Sequence, residues 1–499
     1  MAVSSRDTGR TIGRRNVLVG GGALLGVLGL GAPTWGAPAR GASGPNGSGP
    51  GFAARAADPA RGAAAPVVWH PAVRAGFRFL DTMLDVHYPA YGELRLPQSY
   101  TDEAGFYASA YTADAALTAL AYLAEGSDAA AARAKTIGDA FRYAQEHDPA
   151  FRDGRVRESY TVGPYTRNDV QQPDGFVQPD GGMVNAGNVF DHSASTAGDQ
   201  ALTGLALLAL ARRGLGPEYG AAAVRLGEWV IANCSTDQPL GGYRAGVGRA
   251  GETLTRTDTV HNALLVAFFE QLAALTGEKV WGDRRARAAA FVTAMWQPTG
   301  GHYASGSYDG TLAASFPVTT EAQTIPVLAL RTGAQRAALN YVTSALTVTD
   351  TPDRPNSALP AGTTVSGVTF SDWSRLADPD RPVEPGLSLP DPDAVWFAGS
   401  AQLAAALLVR GGSGDRTEAF GRLNRLVDVQ ARFTGGRTAG AKQIAVGEGL
   451  VAASSPLHTG VSDAGFYPYR HVGTTAWFLL AATARNPLAL DRTPRRSAA

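Results

Sequence analysis

Segments that are apolar on nearly every side alternate along this chain with segments that carry a single apolar face. From Arg256 to Gly277, RTDTVHNALLVAFFEQLAALTG, only the first turn is polar and almost everything after it is apolar. A helix of that composition is buried on all sides and has one solvated end. The next segment, 281–296, places apolar residues at helical spacing with Arg and Asp between them, which predicts a surface helix.

The same pair of segments recurs around the chain and predicts a ring of helical hairpins. Nearly all-apolar helices are predicted at 111–126, 195–210, 258–275, 320–330, 393–409 and 471–484, and amphipathic helices at 70–86, 131–146, 218–233, 281–296, 334–347 and 417–432. Each apolar helix is followed by its amphipathic neighbour after a few residues, whereas the return connections are far longer. Six buried inner helices inside six outer ones describe an all-α fold, the (α/α)6 toroid. Because every hairpin is needed to close the ring, we predict a single domain over residues 67–488.

Two details of this ring bear on function. Pro326 lies inside the predicted helix 320–330, where it is expected to kink or shorten the helix. Long connections are unusual in compact domains unless they serve a function. Here they all fall at the end of the ring where the inner helices begin, so the binding cleft is expected at that end.

The N-terminus has the layout of an export signal. Arg14 and Arg15 precede a mildly apolar, Gly-rich run at 17–30, and Ala37-Pro38-Ala39 resembles a cleavage site. The paired arginines predict a twin-arginine signal at residues 1–39, recognised by the twin-arginine export machinery and cleaved after Ala39. The apolar run is shorter than the roughly 20 residues that a membrane span requires. Residues 40–66 are predicted to be a flexible Gly/Ala/Pro-rich spacer and 489–499 a C-terminal tail, so the mature protein is expected to be secreted, without a stable membrane span.

Composition excludes several classes of function. The formal net charge is zero and the pI is about 7.1, which disfavours a nucleic-acid partner bound through phosphate neutralisation. The single cysteine, Cys234, cannot form an intramolecular disulfide and is expected to be a buried thiol. The sequence contains neither a GxSxG nor an HExxH pattern, and it lacks a GxGxxG turn followed by the βαβ unit of a dinucleotide-binding site. We therefore predict neither a metal nor a cofactor.

Polar residues gather at the beginnings of the inner helices, and they suit a sugar ligand. The carboxylates proposed for catalysis are Asp114, Asp258, Glu321 and Asp199, and the aromatic and imidazole side chains proposed for substrate binding are Tyr111, His192, His261, Trp396, Tyr467 and His471. Glycoside hydrolysis needs two carboxyl groups that flank the scissile bond, one protonated and one ionised. The sequence does not say which two face each other. Asp258 has an alternative role as a helix cap, because it directly follows Thr257 at the start of the predicted helix.

The hairpin sequences resemble those of the six-hairpin glycosidase superfamily. The resemblance rests on YTADAALTALAYL, STAGDQALTGLALLALA, TDTVHNALLVAFFEQLAALTG, DAVWFAGSAQLAAALL and YPYRHVGTTAWFLLAATARNP, and it covers most of residues 69–488. It implies a carbohydrate-active enzyme, commonly an inverting hydrolase, whose acids at the inner-helix mouth would be Asp114, Asp199, Asp258 and Glu321. The chain departs from the family pattern in VWFAGS, where Ala398 stands in place of a glutamate.

The functional prediction is a secreted glycoside hydrolase acting on an oligo- or polysaccharide. Two alternatives stay open at this point. A polysaccharide lyase would use Tyr467, Tyr469 and His471, with Arg244, Arg256, Lys442 and Arg470 as candidates for binding uronate carboxylates. A non-catalytic glycan-binding toroid is favoured by Ala398, since that position lacks the expected acid.

Overall fold

Twelve α-helices form the framework of the part of the chain that the structure describes. The computed structural model describes residues 69–489 except 89–92, 106–107, 149, 164–165, 168–169, 172–193, 249, 315–316, 332–336, 384–386, 434 and 461–463. The helices are α1 His70–Leu84, α2 Thr112–Glu125, α3 Asp128–His147, α4 Ala197–Arg213, α5 Pro217–Cys234, α6 Thr259–Thr276, α7 Lys279–Ala294, α8 Thr320–Leu330, α9 Ala337–Ala345, α10 Phe397–Arg410, α11 Asp415–Arg432 and α12 Val472–Ala482.

The even-numbered helices form a closed inner ring. Neighbouring members pack on each other in the order α2, α4, α6, α8, α10, α12 and back to α2. Each of α3, α5, α7, α9 and α11 packs outside the inner helix that precedes it, and α1 packs against α12. The predicted (α/α)6 toroid is thereby confirmed.

The short links between inner and outer helices follow from how the inner helices end. α2 is followed by Gly126 with φ 92°, and α6 is followed by Gly277 with φ 76°. Both values lie in the left-handed region, where glycine avoids the steric cost of a Cβ and lets the chain turn back at once. Ser127 then caps α3 by accepting the Ala130 N–H. In these two hairpins the outer helix therefore returns along its inner partner after two residues.

Short strands line the opposite side of each hairpin, in the long loops. They are β1 Ser109–Tyr111, β2 Ser159–Thr161, β3 Thr166–Arg167, β4 Val170–Gln171, β5 Ser195–Thr196, β6 Gly246–Val247, β7 Thr253–Leu254, β8 Thr257–Asp258, β9 Trp296–Gln297, β10 His302–Tyr303, β11 Gly306–Ser307, β12 Thr347–Asp350, β13 Val365–Val368, β14 Thr438–Ala439, β15 Lys442–Gln443, β16 Leu450–Val451, β17 Leu457–His458, β18 Gly465–Phe466 and β19 Arg470–His471. The pairings are antiparallel, and most ladders have two strands.

These ladders hold the first residues of the inner helices in place. β1, β5, β8 and β19 lead directly into α2, α4, α6 and α12. The beginnings of α8 and α10 are held by the isolated bridges Thr319–Ser371 and Trp396–Ala453. Every inner helix therefore enters the ring from a hydrogen-bonded loop layer, which fixes the positions of the polar residues in its first turn.

The differences from the predicted helix bounds have local causes. α10 begins at Phe397 and not at residue 393, because Asp391 Oδ1 accepts the Asp393 N–H at 2.8 Å and holds that segment in a turn. α8 continues through Pro326 to Leu330 and is 11 residues long, one of the two shortest inner helices. Cys234 is a buried free thiol, as predicted.

The end of the ring away from the loop layer is covered by the chain that follows α12. Asn486 Nδ2 donates to the Leu328 carbonyl at 2.9 Å, and Gln271 Nε2 donates to the Leu488 carbonyl at 3.4 Å. These contacts attach the segment to α8 and α6, and Leu488 is fully buried. Among the helices of the described residues, none has both the length and the apolar composition that a membrane crossing requires. The export signal and the spacer lie outside the described residues and stay predictions.

Candidate active site

A cavity lies where the inner helices begin, and all six of them line it. The lining residues are Ala113, Asp114, Leu117, Leu202, Leu264, Glu321, Ile325, Ala398, His471, Gly473 and Trp477. Its volume is about 20 Å³, which is enough for one water molecule. Most of the lining is apolar, so the three titratable groups, Asp114, Glu321 and His471, are the chemically active part of the wall.

The ring order places two of these groups on opposite sides of the cavity. Asp114 belongs to α2 and Glu321 to α8, and α8 is the third inner helix from α2 in either direction around the ring. Both carboxyl groups lie in the first turn of their helix, where the unpaired N–H groups and the helix dipole favour a negative charge. Two of the four predicted acids, Asp114 and Glu321, thus lie on opposite sides of one cavity.

Asp114 is held by a histidine that lies 357 residues away in the sequence. His471 Nδ1 accepts the Thr474 N–H at 3.2 Å, so the ring hydrogen lies on Nε2, which donates to Asp114 Oδ2 at 2.9 Å. Both side chains are buried, and the imidazole stacks on Tyr100 with the ring centroids 4.2 Å apart. With both ring nitrogens engaged, His471 orients the carboxylate and has no free lone pair with which to act as a base.

Gly473 lets Asp114 occupy this position. A Cβ at residue 473 would lie 2.1 Å from Asp114 Oδ1 and 3.0 Å from His471 Cε1. Real Cβ atoms essentially never come as close as 2.1 Å to another heavy atom. The missing side chain therefore leaves Oδ1 room at the cavity wall, while Oδ2 is taken up by His471.

Glu321 is a buried acid in its protonated form at neutral pH. Burial raises its pKa to about 8, although the hydrogen bond from Gln402 opposes this shift. Gln402 Nε2 donates to Glu321 Oε1 at 3.1 Å, and Thr324 Oγ1 lies 3.1 Å from Gln402 Oε1. A carboxyl group that keeps its proton at neutral pH can donate it to a leaving group, as a general acid must.

Asp199 lies one turn above the cavity on α4, three residues before the lining residue Leu202. Its pKa is raised to about 8, chiefly by burial and then by the negative charges of Glu158 and Asp114. Thr196 Oγ1 donates to Asp199 Oδ2 at 2.6 Å. Asp199 therefore carries a proton at neutral pH and does not present a ready base.

Asp258 and His261 form a separate pair at the beginning of α6. Asp258 occupies the cap position, but its side chain makes no capping hydrogen bond. Its Oδ2 lies 3.2 Å from Arg256 Nη2 and 3.3 Å from His261 Nδ1. Burial lowers the pKa of His261 to about 4, and its ring packs on Gly198, where a Cβ would be 2.6 Å from Cδ2. This neutral imidazole is buried one turn before the cavity residue Leu264 on α6 and is not itself among the lining residues.

The remaining predicted residues lie away from the cavity wall. Asn262, on the same helical face as Asp258, bonds the backbone of Tyr243 through both amide atoms at 2.9 and 3.0 Å and has a structural role. Trp396 is fully buried, with Phe370 and Phe466 ring centroids 4.9 and 5.5 Å away. Tyr111 and Tyr467 are also buried and are not among the lining residues. His192 lies outside the described residues.

Of the basic residues considered for a lyase, two hold loops together. The guanidinium of the buried Arg470 donates to the Gly436 and Ala445 carbonyls, and Lys442 Nζ donates to the Asp85 carbonyl at 2.5 Å. Arg256 is paired with Asp258. None of the described arginines or lysines lines the cavity, so the described part of the site offers no cation for a uronate carboxylate.

Sequence reasoning missed Gln402 and Glu158. Gln402 is the only strongly polar side chain within the apolar run AQLAAALL, and such a residue at a buried helix position signals a specific partner. Glu158 lies in the loop before α4, and no helical pattern marks it. Within the residues described, no group of three or more His, Cys, Asp or Glu side chains could hold a metal ion.

Comparison with known proteins supports the fold. No family model matches the sequence, and no curated protein matches it either. Among solved structures, cellobiose 2-epimerase from Bacillus thermoamylovorans B4167 is matched with a TM-score of 0.53 at 10% identity, over 83% of this chain and 98% of that one. A D-mannose isomerase is matched with a TM-score of 0.51 at 13% identity, over 83% of this chain and 96% of that one.

A glycosidase variant in complex with glucose is matched with a TM-score of 0.49 at 14% identity, over 83% of this chain and 96% of that one. At these identities the likenesses concern the fold and not the activity. The matches to the epimerase and the isomerase extend over most of the chain and agree with the closed ring of inner and outer helices described above. The chain therefore has an (α/α)6-toroid fold, which it shares with the epimerase and isomerase structures.

Proposed function

We propose that this protein is a glycoside hydrolase in which Glu321 is the general acid and Asp114 is the general base or nucleophile. The observation that carries the proposal is the placement of these two carboxyl groups on opposite helices of the ring, facing one cavity. Hydrolysis of a glycosidic bond needs one protonated and one ionised carboxyl group on either side of that bond. Glu321, with its pKa of about 8, supplies the protonated group.

Each carboxyl group has one oxygen held and one oxygen left for chemistry. His471 holds Asp114 Oδ2 and Gln402 holds Glu321 Oε1. Glu321 Oε2 would then donate its proton to the leaving-group oxygen, while Asp114 Oδ1 accepts a proton from water or attacks the anomeric carbon. The cavity is large enough for the water that an inverting reaction requires.

The experiment is a screen of natural oligo- and polysaccharides for release of reducing sugar, with NMR identification of the products. Asp114→Asn and Glu321→Gln are each expected to lower kcat at least 100-fold. Asp309→Asn, in an exposed mouth loop, is the control and should retain activity. Full activity in both site variants would contradict the assignment, and glycan binding without turnover by the wild-type protein would identify the non-catalytic alternative, which Ala398 favours.

A sugar epimerase or isomerase is the second candidate, because a neutral imidazole, that of His261, lies on the inner helix α6 one turn before the cavity residue Leu264. Such reactions need a base that removes a proton next to a carbonyl group, and histidine is the commonest such base. His261 stays uncharged down to a pKa of about 4 and so has a lone pair at neutral pH. Incubation of free sugars in deuterated water would reveal this activity as deuterium in the product. Its absence together with glycoside cleavage would support the hydrolase.

We further propose that the precursor is exported through the twin-arginine machinery and acts outside the cytoplasm on an oligo- or polysaccharide. The support is the sequence pattern at Arg14, Arg15 and Ala37-Pro38-Ala39. Changing both arginines to lysine should leave the full-length precursor inside the cells. N-terminal sequencing of the exported protein should begin at Arg40, and a different first residue would refute the predicted cleavage site.

A further inference from the structure

Gln402 holds the proposed acid from a neighbouring helix. It lies on α10, four residues after Ala398, and it is fully buried. Its Nε2 lies 3.1 Å from Glu321 Oε1 on α8. Thr324 Oγ1, one turn beyond Glu321 on α8, lies 3.1 Å from the Gln402 carbonyl oxygen. The amide thus bridges two positions of α8, and its N–H side is turned toward the carboxyl group.

This arrangement distinguishes the two oxygens of Glu321. Oε1 accepts the amide N–H, so a proton on that oxygen would face another hydrogen and is disfavoured. The acidic proton therefore belongs on Oε2. Glu321 lines the cavity and Gln402 does not. The Gln402 amide therefore binds Oε1 from outside the cavity and leaves Oε2 for a substrate inside it.

We propose that Gln402 is a positioning residue that directs the Glu321 proton to Oε2 and fixes the rotation of the carboxyl group toward the cavity. The inference rests on the proposed role of Glu321 as the acid. It goes beyond that role because it assigns a function to an amide that touches no substrate. Without the amide, the carboxyl group is free to rotate and both oxygens carry the proton.

Removing the amide has two separable consequences. The N–H···O bond favours the ionised carboxylate, so its loss raises the Glu321 pKa further. We expect an upward shift of about one pH unit in Gln402→Met, a substitution of similar length without hydrogen-bonding groups. Loss of the fixed orientation should lower kcat by about tenfold or more with little change in KM, since a misplaced group costs rate and not binding.

The matched control is Gln323→Met. Gln323 is also a fully buried glutamine, two residues after Glu321 on α8, but its amide bonds the Tyr303 backbone at 2.7 and 2.9 Å. Any loss of stability or activity that follows from removing a buried amide in general should appear in both Gln402→Met and Gln323→Met. A shift in the pKa of Glu321 should appear only in Gln402→Met.

The direct measurement is a carbon-13 NMR titration of protein labelled at the glutamate carboxyl carbons, with the Glu321 signal assigned from Glu321→Gln. It requires no activity. The expected result is a higher Glu321 pKa in Gln402→Met and an unchanged one in Gln323→Met. The alkaline limb of kcat/KM should move upward by the same amount. An unmoved titration in Gln402→Met would overturn the inference.

Should Gln402→Met fail to fold, Thr324→Val carries the same test, because it removes the hydroxyl beside the Gln402 carbonyl and keeps the amide. Its titration should shift in the same direction by a smaller amount, and an unshifted titration there refutes the positioning role. A shifted titration in a protein that cleaves no glycan would confirm the positioning and reject the proposed hydrolase.

Discussion

Replacement of Gly473 by alanine tests whether the Asp114–His471 pair depends on a missing side chain. The added Cβ would lie 2.1 Å from Asp114 Oδ1, inside the 3.0 Å that real Cβ atoms keep from other heavy atoms. Asp114 must therefore retreat by about 1 Å (3.0 − 2.1 = 0.9 Å) or break its bond to His471. A displacement of this size at a catalytic group typically costs about 100-fold in rate.

The same change also affects stability. Replacing a helical glycine by alanine normally stabilises a protein by about 0.5–1 kcal/mol, whereas overpacking a tight site costs about 1–3 kcal/mol. For Gly473→Ala we therefore expect the free energy of unfolding, measured by urea denaturation, to fall by about 0.5–2 kcal/mol. Gly421→Ala is the matched control, since Gly421 lies within α11 and a Cβ there meets no atom within 4 Å.

In Gly421→Ala the free energy of unfolding should rise by about 0.5–1 kcal/mol, and the variant should keep full activity on the glycan found in the screen. A Gly473→Ala variant that gains as much stability as Gly421→Ala, with unchanged kcat/KM, would refute the reasoning. That result would show that Asp114 and His471 do not require the space that the glycine leaves.

Three predictions concern the pH dependence of stability, each checked by urea unfolding between pH 4 and 9. The pKa of Glu321 in the folded protein is about 8, against an ordinary 4.5. Stability should therefore fall by up to roughly 1.4 kcal/mol per pH unit as the pH rises from 4.5 to 8. Glu321→Gln should flatten this decline, and an unchanged slope would contradict the argument that burial raises the Glu321 pKa. Burial and the negative charge of Asp350 raise the pKa of Asp391 to about 7. Asp391 should therefore add a decline in stability between about pH 4 and 7 that is absent in Asp391→Asn. An equal decline in that variant would exclude Asp391 as its source. His261 has its pKa lowered to about 4 from 6.5, so the unfolded chain binds more protons and stability should rise between pH 4 and 6.5. His261→Asn should lose this rise, and a rise that persists in the variant would show that His261 is not its source.

The fold could be predicted because the ring imposes a simple pattern on the sequence. A helix enclosed by neighbours must be apolar all round, and an outer helix must keep one polar face. α8 was predicted at 320–330 and occupies Thr320–Leu330. The start of α10 was misplaced by four residues, because the Asp391 side chain draws residues 391–394 into a turn that no helical periodicity reveals. The short strands escaped prediction since two to four residues are too few to show a period.

The site could be predicted only as a set of candidates. The position of Asp114 in the first turn of an apolar helix marked it as a buried acid, yet its partner His471 lies at the other end of the chain. Which acids keep a proton depends on burial and on neighbouring charges, and these follow from the packing of several helices. Trp396 was expected to contact sugar because it is aromatic and lies at the beginning of a predicted inner helix, but those properties equally suit the aromatic cluster with Phe370 and Phe466. Its role in substrate binding stays a prediction.

The most direct test of the central claim compares two classes of substrate in the two carboxyl variants. Cleavage of a natural glycoside needs protonation of the leaving-group oxygen. A dinitrophenyl glycoside of the same sugar releases dinitrophenolate, which departs without being protonated. Glu321→Gln should lose at least 100-fold in kcat/KM on the natural glycoside and less than tenfold on the dinitrophenyl one, while Asp114→Asn loses activity on both. Equal losses on both substrates in Glu321→Gln would contradict its role as the acid that faces Asp114 across the cavity.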